Sequence, residues 1–294
     1  MSPPAPPRLH LPAGSAADGG DPVVVTPEGA GWTYSGLRVV RLGPGESRAV
    51  ETGPDEMLVL PLSGSCVVGV DGHRFVLAGR RSVFSRVTDF AYVPIEARVE
   101  IASDTGGEFA LPAARAGRRL DPRHGPAEKV PVEVRGAGGA TRQVTNLCTP
   151  ETFPADRLMA VEVLTPAGNW SSYPPHKHDE RREGEAELEE IYYYRIAGGG
   201  GFGFHRTYAA DGSFDVSAAV ADGDVFLVPR GYHGPCAASP DHDMYYLNVL
   251  AGPGPGRSMA FRDDPAHHWV RGAWEGRAPD ARVPLTTAEG ALPP

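Results

Sequence analysis

Glycine and proline punctuate this chain so densely that long helices have no room to form. With 37 Gly and 30 Pro among 294 residues, any extended helix would meet breakers costing about 1 kcal/mol for each Gly and about 3 kcal/mol for each Pro. What lies between the breakers is β-like. Arg38–Leu42, Met57–Leu62, Ser65–Val70, His73–Leu77, Ser82–Phe84, Ala91–Val93 and Arg98–Ile101 are short apolar or β-branched runs, almost all bounded by Gly, Pro or Asp. Val70-Asp71-Gly72-His73 sets Asp-Gly between two such runs, the strongest short-range hairpin signal. The spacing predicts an all-β chain, a barrel or sandwich, long enough for one large β domain or two smaller ones.

After Ala102 the texture changes. Gly106-Gly107, the stretch Ala113 to Arg119, and Gly136-Ala137-Gly138-Gly139 read as loops or a connector, and a second β-rich block runs from about Thr141 to Val249. The two blocks share a plan. Glu56-Met57-Leu58-Val59-Leu60-Pro61-Leu62-Ser63-Gly64 matches Glu190-Ile191-Tyr192-Tyr193-Tyr194-Arg195-Ile196-Ala197-Gly198, a Glu leading a strand that ends in Gly. Gly79 to Pro94 is a longer counterpart of Gly223 to Pro229. An internal repeat, and so two barrels from one chain, is expected.

Composition excludes some partners. A net charge of −9, from 28 Lys plus Arg against 37 Asp plus Glu, repels phosphate backbones, so no nucleic acid is expected. No apolar run approaches the ~18 residues of a membrane span, and Met1 to Gly20 lacks the apolar core of a signal peptide. Cys66, Cys148 and Cys236 are widely spaced and odd in number, as free thiols in a reducing compartment would be. The expected location is cytoplasmic.

The chemistry concentrates in Pro174-Pro175-His176-Lys177-His178, Glu190, and Pro229-Arg230-Gly231-Tyr232-His233. In a strand, His176 and His178 share a face and Lys177 takes the other. A His-x-His pair alone is common surface decoration. Its company singles it out: a Glu opening the run Ile191–Arg195, then a Gly-turn motif that delivers His233. Imidazole and carboxylate oxygen suit zinc, iron, manganese, nickel or cobalt. Acidic residues crowd the loop before Ile191; Glu190 is the first choice as ligand, with Glu189 the fallback. Tyr192 and Tyr194 then share the face of Glu190. His205, His242 and His267-His268 lack a surrounding motif and are read as non-ligands.

Several segments together closely resemble the 5-deoxy-glucuronate isomerase family of myo-inositol breakdown. They are Gly168-Asn169-Trp170-Ser171-Ser172-Tyr173-Pro174-Pro175-His176-Lys177-His178-Asp179, Leu188-Glu189-Glu190-Ile191-Tyr192-Tyr193-Tyr194, Asp222-Gly223-Asp224-Val225, Pro229 to Pro235, and Met244-Tyr245-Tyr246-Leu247-Asn248-Val249. Gly31-Trp32, Gly107-Glu108-Phe109-Ala110 and Arg142-Gln143-Val144 extend the likeness over roughly residues 10–275. The pectin-pathway uronate isomerases are relatives with a similar ligand set. The resemblance implies a bicupin, two cupin-type β-barrels (double-stranded β-helices) in one chain. Its expected divisions are an arm over 1–20, a metal-free barrel over 21–120, a connector over 121–140, a metal-binding barrel over 141–275 and a tail over 276–294. The gap from His178 to Glu190 exceeds the usual cupin spacing, and His233 follows Gly231 by two residues rather than three; both look normal for this family. The insertion Arg181-Arg182-Glu183-Gly184-Glu185 is expected to form a lid or rim.

The implied reaction interconverts 5-deoxy-D-glucuronate and 5-dehydro-2-deoxy-D-gluconate. One divalent ion, zinc by preference over iron or manganese, would sit on His176, His178, Glu190 and His233 as a Lewis acid. The substrate's carboxylate needs an anchor. Lys177 and Arg182 are the expected pair, with Arg181 and Arg230 as further candidates. Tyr246, then Tyr192, is the expected proton carrier, and Tyr245 or an acidic lid residue an alternative. The same scaffold could instead serve a metal-dependent dioxygenase or a non-catalytic sugar-binding cupin. Exposed barrel edges would also permit a homo-oligomer.

Overall fold

The structure, a computed structural model, describes residues 8–292, and its regular backbone is nearly all strand. Two large antiparallel sheets repeat one plan. In the first, Phe90–Val93, Asp55–Val70, Gly107–Arg115 and Ser35–Leu42 lie side by side; in the second, Val225–Val228, Glu189–Ile196, Met244–Ala251 and Met159–Thr165 take the same order. Register fixes the correspondence residue by residue. Met57 lies between Val93 and Ala113, as Glu190 lies between Val228 and Leu250. The counterpart of Glu190 is therefore Met57, and that of Glu56 is Glu189, one residue away from the pairing expected from sequence. Both Glu56 and Glu189 point out of their own barrel.

Alternation along these strands creates three apolar layers. Leu58 and Leu60 of the first sheet meet Ile191, Tyr193, Leu247 and Val249 of the second across a common seam. On its other face the first sheet curls around Val59, Val68, Ile101, Phe109 and Leu111, which fill that barrel with hydrocarbon. Asp55–Val70 makes the curl possible because its second half pairs with His73–Arg80 and Arg98–Ser103. The two runs Met57–Leu62 and Ser65–Val70 are thus one strand, bent at Gly64. There φ is +79° and an added Cβ would lie 2.2 Å from the Gly106 carbonyl oxygen, so only glycine fits.

The second barrel holds Tyr192, Tyr194, Phe226 and Tyr246 and is closed by a smaller sheet. Gly203–Tyr208, Tyr232–Ala238 and His176–Lys177 are adjacent in that sheet. The hairpin expected at Asp71-Gly72 is present, with Val70 paired to His73. Ser82–Phe84 is not a strand. Ser85 turns the chain back by donating from its backbone N and from Oγ to the Ser82 carbonyl oxygen.

Segments outside the repeat are woven into it. His10–Leu11 pairs with Val225 and Phe226, Arg123–Gly125 extends the first sheet, and Val132–Arg135 extends the second. The Gln143 amide oxygen accepts from Leu285 N and Thr286 N. Cys66, Cys148 and Cys236 are buried and unpaired, burial pushing each thiol up to about 12.

The barrels exchange carboxylates. Glu56 leaves the first and accepts from the backbone N of Asp156, Arg157 and Leu158, at 2.9, 2.5 and 2.7 Å, and from Tyr92 Oη. Glu189 leaves the second and accepts from the backbone N of Thr33, Tyr34 and Ser35, at 2.7, 2.7 and 2.8 Å. Each cluster of N–H groups lies where the strand equivalent to Ser35–Leu42 or Met159–Thr165 begins. A buried Arg80–Glu162 ion pair also crosses the seam, with Tyr245 Oη donating to Glu162 at 2.7 Å.

Truncating Glu56 to Ala strands the buried Tyr92 hydroxyl and Leu158 N together with the half-buried N–H groups of Asp156 and Arg157, and is expected to destabilise the protein by about 3 kcal/mol. The more exposed Glu189→Ala should cost about 1–2 kcal/mol. Urea unfolding midpoints check both; a midpoint for Glu56→Ala equal to that of wild type would show that the exchanged carboxylate does not hold the seam.

Candidate metal centre

His178, Glu190 and His233 converge in the second barrel and are all buried. Glu190 arrives from the central strand. His178 follows the short strand His176–Lys177, in which His176 pairs directly with His233 of the neighbouring strand. His233 is delivered by a tight turn. Gly231 has φ +88°, and a Cβ there would stand 2.6 Å from the Tyr208 carbonyl oxygen. Gly231 N also donates to Asp179 Oδ2 at 2.7 Å, tying the turn to the residue after His178.

The rings aim their Nε2 atoms inward. His178 Nε2 is 2.9 Å and His233 Nε2 3.1 Å from the same Glu190 oxygen, Oε2. Behind them, His178 Nδ1 faces the Leu188 carbonyl oxygen at 3.3 Å and His233 Nδ1 faces that of Gly231 at 3.5 Å. Backbone acceptors of this kind hold the Nδ1–H tautomer and leave Nε2 free to bind a metal. His233 Nε2 is buried, and its approach to Glu190 is not aligned as a hydrogen bond, so it has no such partner. Three donors each ~2.1 Å from one ion would lie roughly 3 Å apart. The orphaned nitrogen, the donor types and the spacing all fit a divalent ion.

His176 stands beside this trio rather than in it. It shares the inward face, as alternation predicts, and its ring centroid is 4.5 Å from that of His233. Its Nδ1 lies 3.1 Å from the Pro174 carbonyl oxygen and its ring leans on Phe261. The structure brings three of the four expected ligands together and sets the fourth alongside.

Charge coupling follows the geometry. Burial alone would raise the Glu190 pKa, but the imidazoles of His233 and His178 outweigh it and hold the carboxyl well below its usual range. Burial alone would lower His178, yet its hydrogen bond to Glu190 prevails and holds it above the ordinary 6.5. His176 has no such compensation. Burial, with neighbouring His233 adding to it, pushes it well below 6.5 and leaves it neutral.

The cluster opens into a cavity of about 320 Å³. Alternate residues line it: Glu190 and Tyr192, Tyr246 and Asn248, Arg142 and Val144. The hydroxyls of Tyr192 and Tyr246 both meet Ser172 Oγ, at 3.1 and 3.3 Å. Ser172 itself has φ +44°, a left-handed backbone that a non-glycine residue adopts only under constraint.

Lys177 and Arg182 do not reach the cavity. The alternation that turns His176 and His178 inward turns Lys177 outward, where its Nζ is held by Asp179, by Glu180 at 2.9 Å and by Glu185 at 2.8 Å. Arg182 Nε meets Glu185 Oε2 at 2.8 Å. Both serve the hairpin formed by Asp179–Arg182 and Glu185–Glu187, which contains the insertion 181–185. Glu189, the fallback ligand, faces the other barrel. His205 is buried with its nitrogens against Tyr194 Oη and Thr207 Oγ1, at 2.6 and 3.0 Å. The residue missed in the sequence is Arg142, which enters the cavity from a strand more than thirty residues before the histidines. Arg142-Gln143-Val144 contributes to the family likeness, but nothing in that segment marks Arg142 as a cavity residue.

Residues 9–270 match the KduI/IolB family. A relative from Geobacillus kaustophilus named 5-deoxy-glucuronate isomerase is 43% identical, over 90% of this chain and 95% of its own. Another of that name, from Bacillus subtilis, is 36% identical over 84% of this chain and 91% of its own. Among solved structures, an IolB-like protein from Salmonella typhimurium is 35% identical with a TM-score of 0.84, covering 90% of this chain and 99% of that one. Bacillus subtilis oxalate decarboxylase is 15% identical with a TM-score of 0.62, over 87% of this chain and 79% of that one, and shares the bicupin fold. Among the described residues no helix is long and apolar enough to cross a membrane.

The pKa directions set a pH window for the metal-free protein. The depressed Glu190 contributes stability that is present above its ordinary 4.5 and lost as pH falls through its folded value. The raised His178 contributes stability that is fully present below 6.5 and lost as pH rises through its folded value. The pair should therefore contribute fully between pH 4.5 and 6.5. Thermal unfolding of metal-free wild type against Glu190→Gln is expected to show the largest difference there, and a difference that does not change with pH would refute the coupling.

Proposed function

We propose that this chain, which belongs to the KduI/IolB family, is a 5-deoxy-glucuronate isomerase that interconverts 5-deoxy-D-glucuronate and 5-dehydro-2-deoxy-D-gluconate. One observation carries this: the His178–Glu190–His233 cluster lies at the wall of a sugar-sized cavity, in a chain 43% identical to a relative of that name. Substrate and product are isomers, an aldehyde beside a hydroxyl and a ketone beside a hydroxyl. A proton must leave one carbon and return to its neighbour while the oxygen charge that develops is stabilised.

His178, Glu190 and His233, with His176 as a fourth ligand, would hold a divalent ion, zinc by preference over iron or manganese, which when bound polarises the sugar carbonyl as a Lewis acid. The chain's own groups do the rest. Glu190, held as a carboxylate, has no proton to give and supplies negative charge. Burial pushes the Tyr192 and Tyr246 hydroxyls up, so both stay protonated at neutral pH. Ser172 Oγ fixes them at the cavity wall, where Tyr246 Oη donates to the sugar oxygen that gains charge, while Glu151, a carboxylate lining the same cavity, takes the carbon-bound proton and returns it to the neighbouring carbon. Leu250, Met259 and Phe261 line the cavity and exclude water from the reacting carbons.

Proton NMR of zinc-loaded protein with 5-deoxy-D-glucuronate in deuterated, oxygen-free water tests the reading. The keto acid should appear with deuterium at the new carbon; no conversion would overturn it. His178→Ala and Glu190→Gln are each expected to lower kcat/KM by roughly 1,000-fold or more. Tyr246→Phe should lower kcat about 100-fold with KM little changed, and an unchanged kcat would remove Tyr246 from the mechanism.

A further inference from the structure

Arg142 is a buried cation that the protein leaves unanswered. The residue is 5% exposed, and its one side-chain hydrogen bond among the described residues runs from Nη1 to the Ala140 carbonyl oxygen at 3.1 Å. Trp274 lies under the guanidinium at 5.7 Å. Among the described residues no carboxylate comes within ion-pair distance. The neighbouring cavity cation, Arg135, is matched by Glu133 at 2.7 Å, and the equally buried Arg80 is matched by Glu162. A guanidinium carries five N–H donors, and burying such a group without a counter-charge is costly. Burial accordingly lowers the Arg142 pKa to about 10, still well above neutrality.

Its placement says what should meet it. Strand alternation turns Arg142 and Val144 into the cavity, while Gln143 faces away to bind Leu285 and Thr286. Register sets Gln143 beside Leu164 and Val144 beside Val163, with Val163 next to Tyr246. Arg142 lies one inward position beyond Val144. Glu190 lies the other way along the sheet, beside Leu250. The metal-ligand cluster and Arg142 thus bracket one cavity, with Tyr246 between them.

We propose that Arg142 anchors the substrate's carboxylate, its guanidinium forking onto the acid end of a sugar acid whose carbonyl end lies at His178, Glu190 and His233. This deepens the isomerase reading and rests on it for the identity of the sugar. A planar fork suits a carboxylate better than an ammonium does. In this arrangement the missing counter-charge arrives with the ligand, and the anchor comes from the sheet that holds Tyr246 rather than from the rim hairpin.

The test compares zinc-loaded wild type with Arg142→Met on two sugars: 5-deoxy-D-glucuronate, and the neutral 5-deoxy aldose in which a hydroxymethyl group replaces the carboxylate. Wild type should prefer the acid in kcat/KM by on the order of 10- to 100-fold, the worth of a charged hydrogen-bonded contact. Arg142→Met should lose that preference. A structural role would lower both substrates together and leave their ratio unmoved; that result, or a ratio equal to wild type, overturns the proposal. If Arg142→Met fails to fold, Arg142→Lys keeps the charge without the fork and should lose about tenfold of the acid preference. Should wild type turn over neither sugar, the isomerase reading fails separately. Calorimetry then judges the anchor: wild type should bind the acid at least about tenfold more tightly than the neutral sugar and Arg142→Met should not, whereas equal affinity of both proteins for the acid overturns it.

Discussion

The seam between the two large sheets is where this protein is held together. Leucines and valines from both sheets fill it, but hydrocarbon contact is non-directional and would tolerate sliding. The exchanged carboxylates remove that freedom. Glu56 and Glu189 each leave one barrel and collect three backbone N–H groups at a strand start of the other. Charged acceptors facing converging amides have narrow geometric tolerance. Because the two clasps are related by the internal repeat, they fix the sheets from both ends.

The repeat also contains its own comparison. Where the second barrel places Glu190, Tyr246 and Asn248 on its inner face, register places Met57, Phe109 and Leu111 in the first. One filling is hydrocarbon that packs to closure; the other is a set of polar groups around a cavity. Carving that cavity sacrifices burial that the first barrel keeps, and it leaves an unmatched guanidinium and an orphaned imidazole nitrogen in place. Sites commonly carry such strain where the surroundings are stable enough to bear it. A solid first barrel packed along the whole seam supplies those surroundings.

Much of this was legible in the residues. Gly and Pro spacing announced short strands, alternation placed His176 and His178 on one face, and the Gly231 turn was readable because a positive φ demands glycine. The repeat was visible, but its register was off by one, because both Glu189 and Glu190 lead the same strand and composition cannot say which faces inward. Lys177 and Arg182 looked like anchors because they sit beside the motif in sequence. Alternation and the nearby acids Asp179, Glu180 and Glu185 send them to the rim instead. Arg142 stood out only as part of the family likeness, and its place in the cavity was hidden for the opposite reason: its partners there come from strands brought beside it only by the sheet. His10–Leu11 and Leu285–Thr286 likewise gain their places from edges and buried amides that exist only once the sheets have formed.

Glu189 and Glu190 are the same chemical group on consecutive residues, yet one joins the barrels and the other faces the cavity beside His178 and His233. Only the parity of a strand position tells them apart. A one-residue shift of this strand's register would turn every side chain to the opposite face, leaving either the cavity without its carboxylate or the Thr33–Ser35 amides without theirs. The length of this strand entry is thereby locked by the fold. The lock is set by two independent demands on adjacent carboxylates, which no single compensating substitution can satisfy.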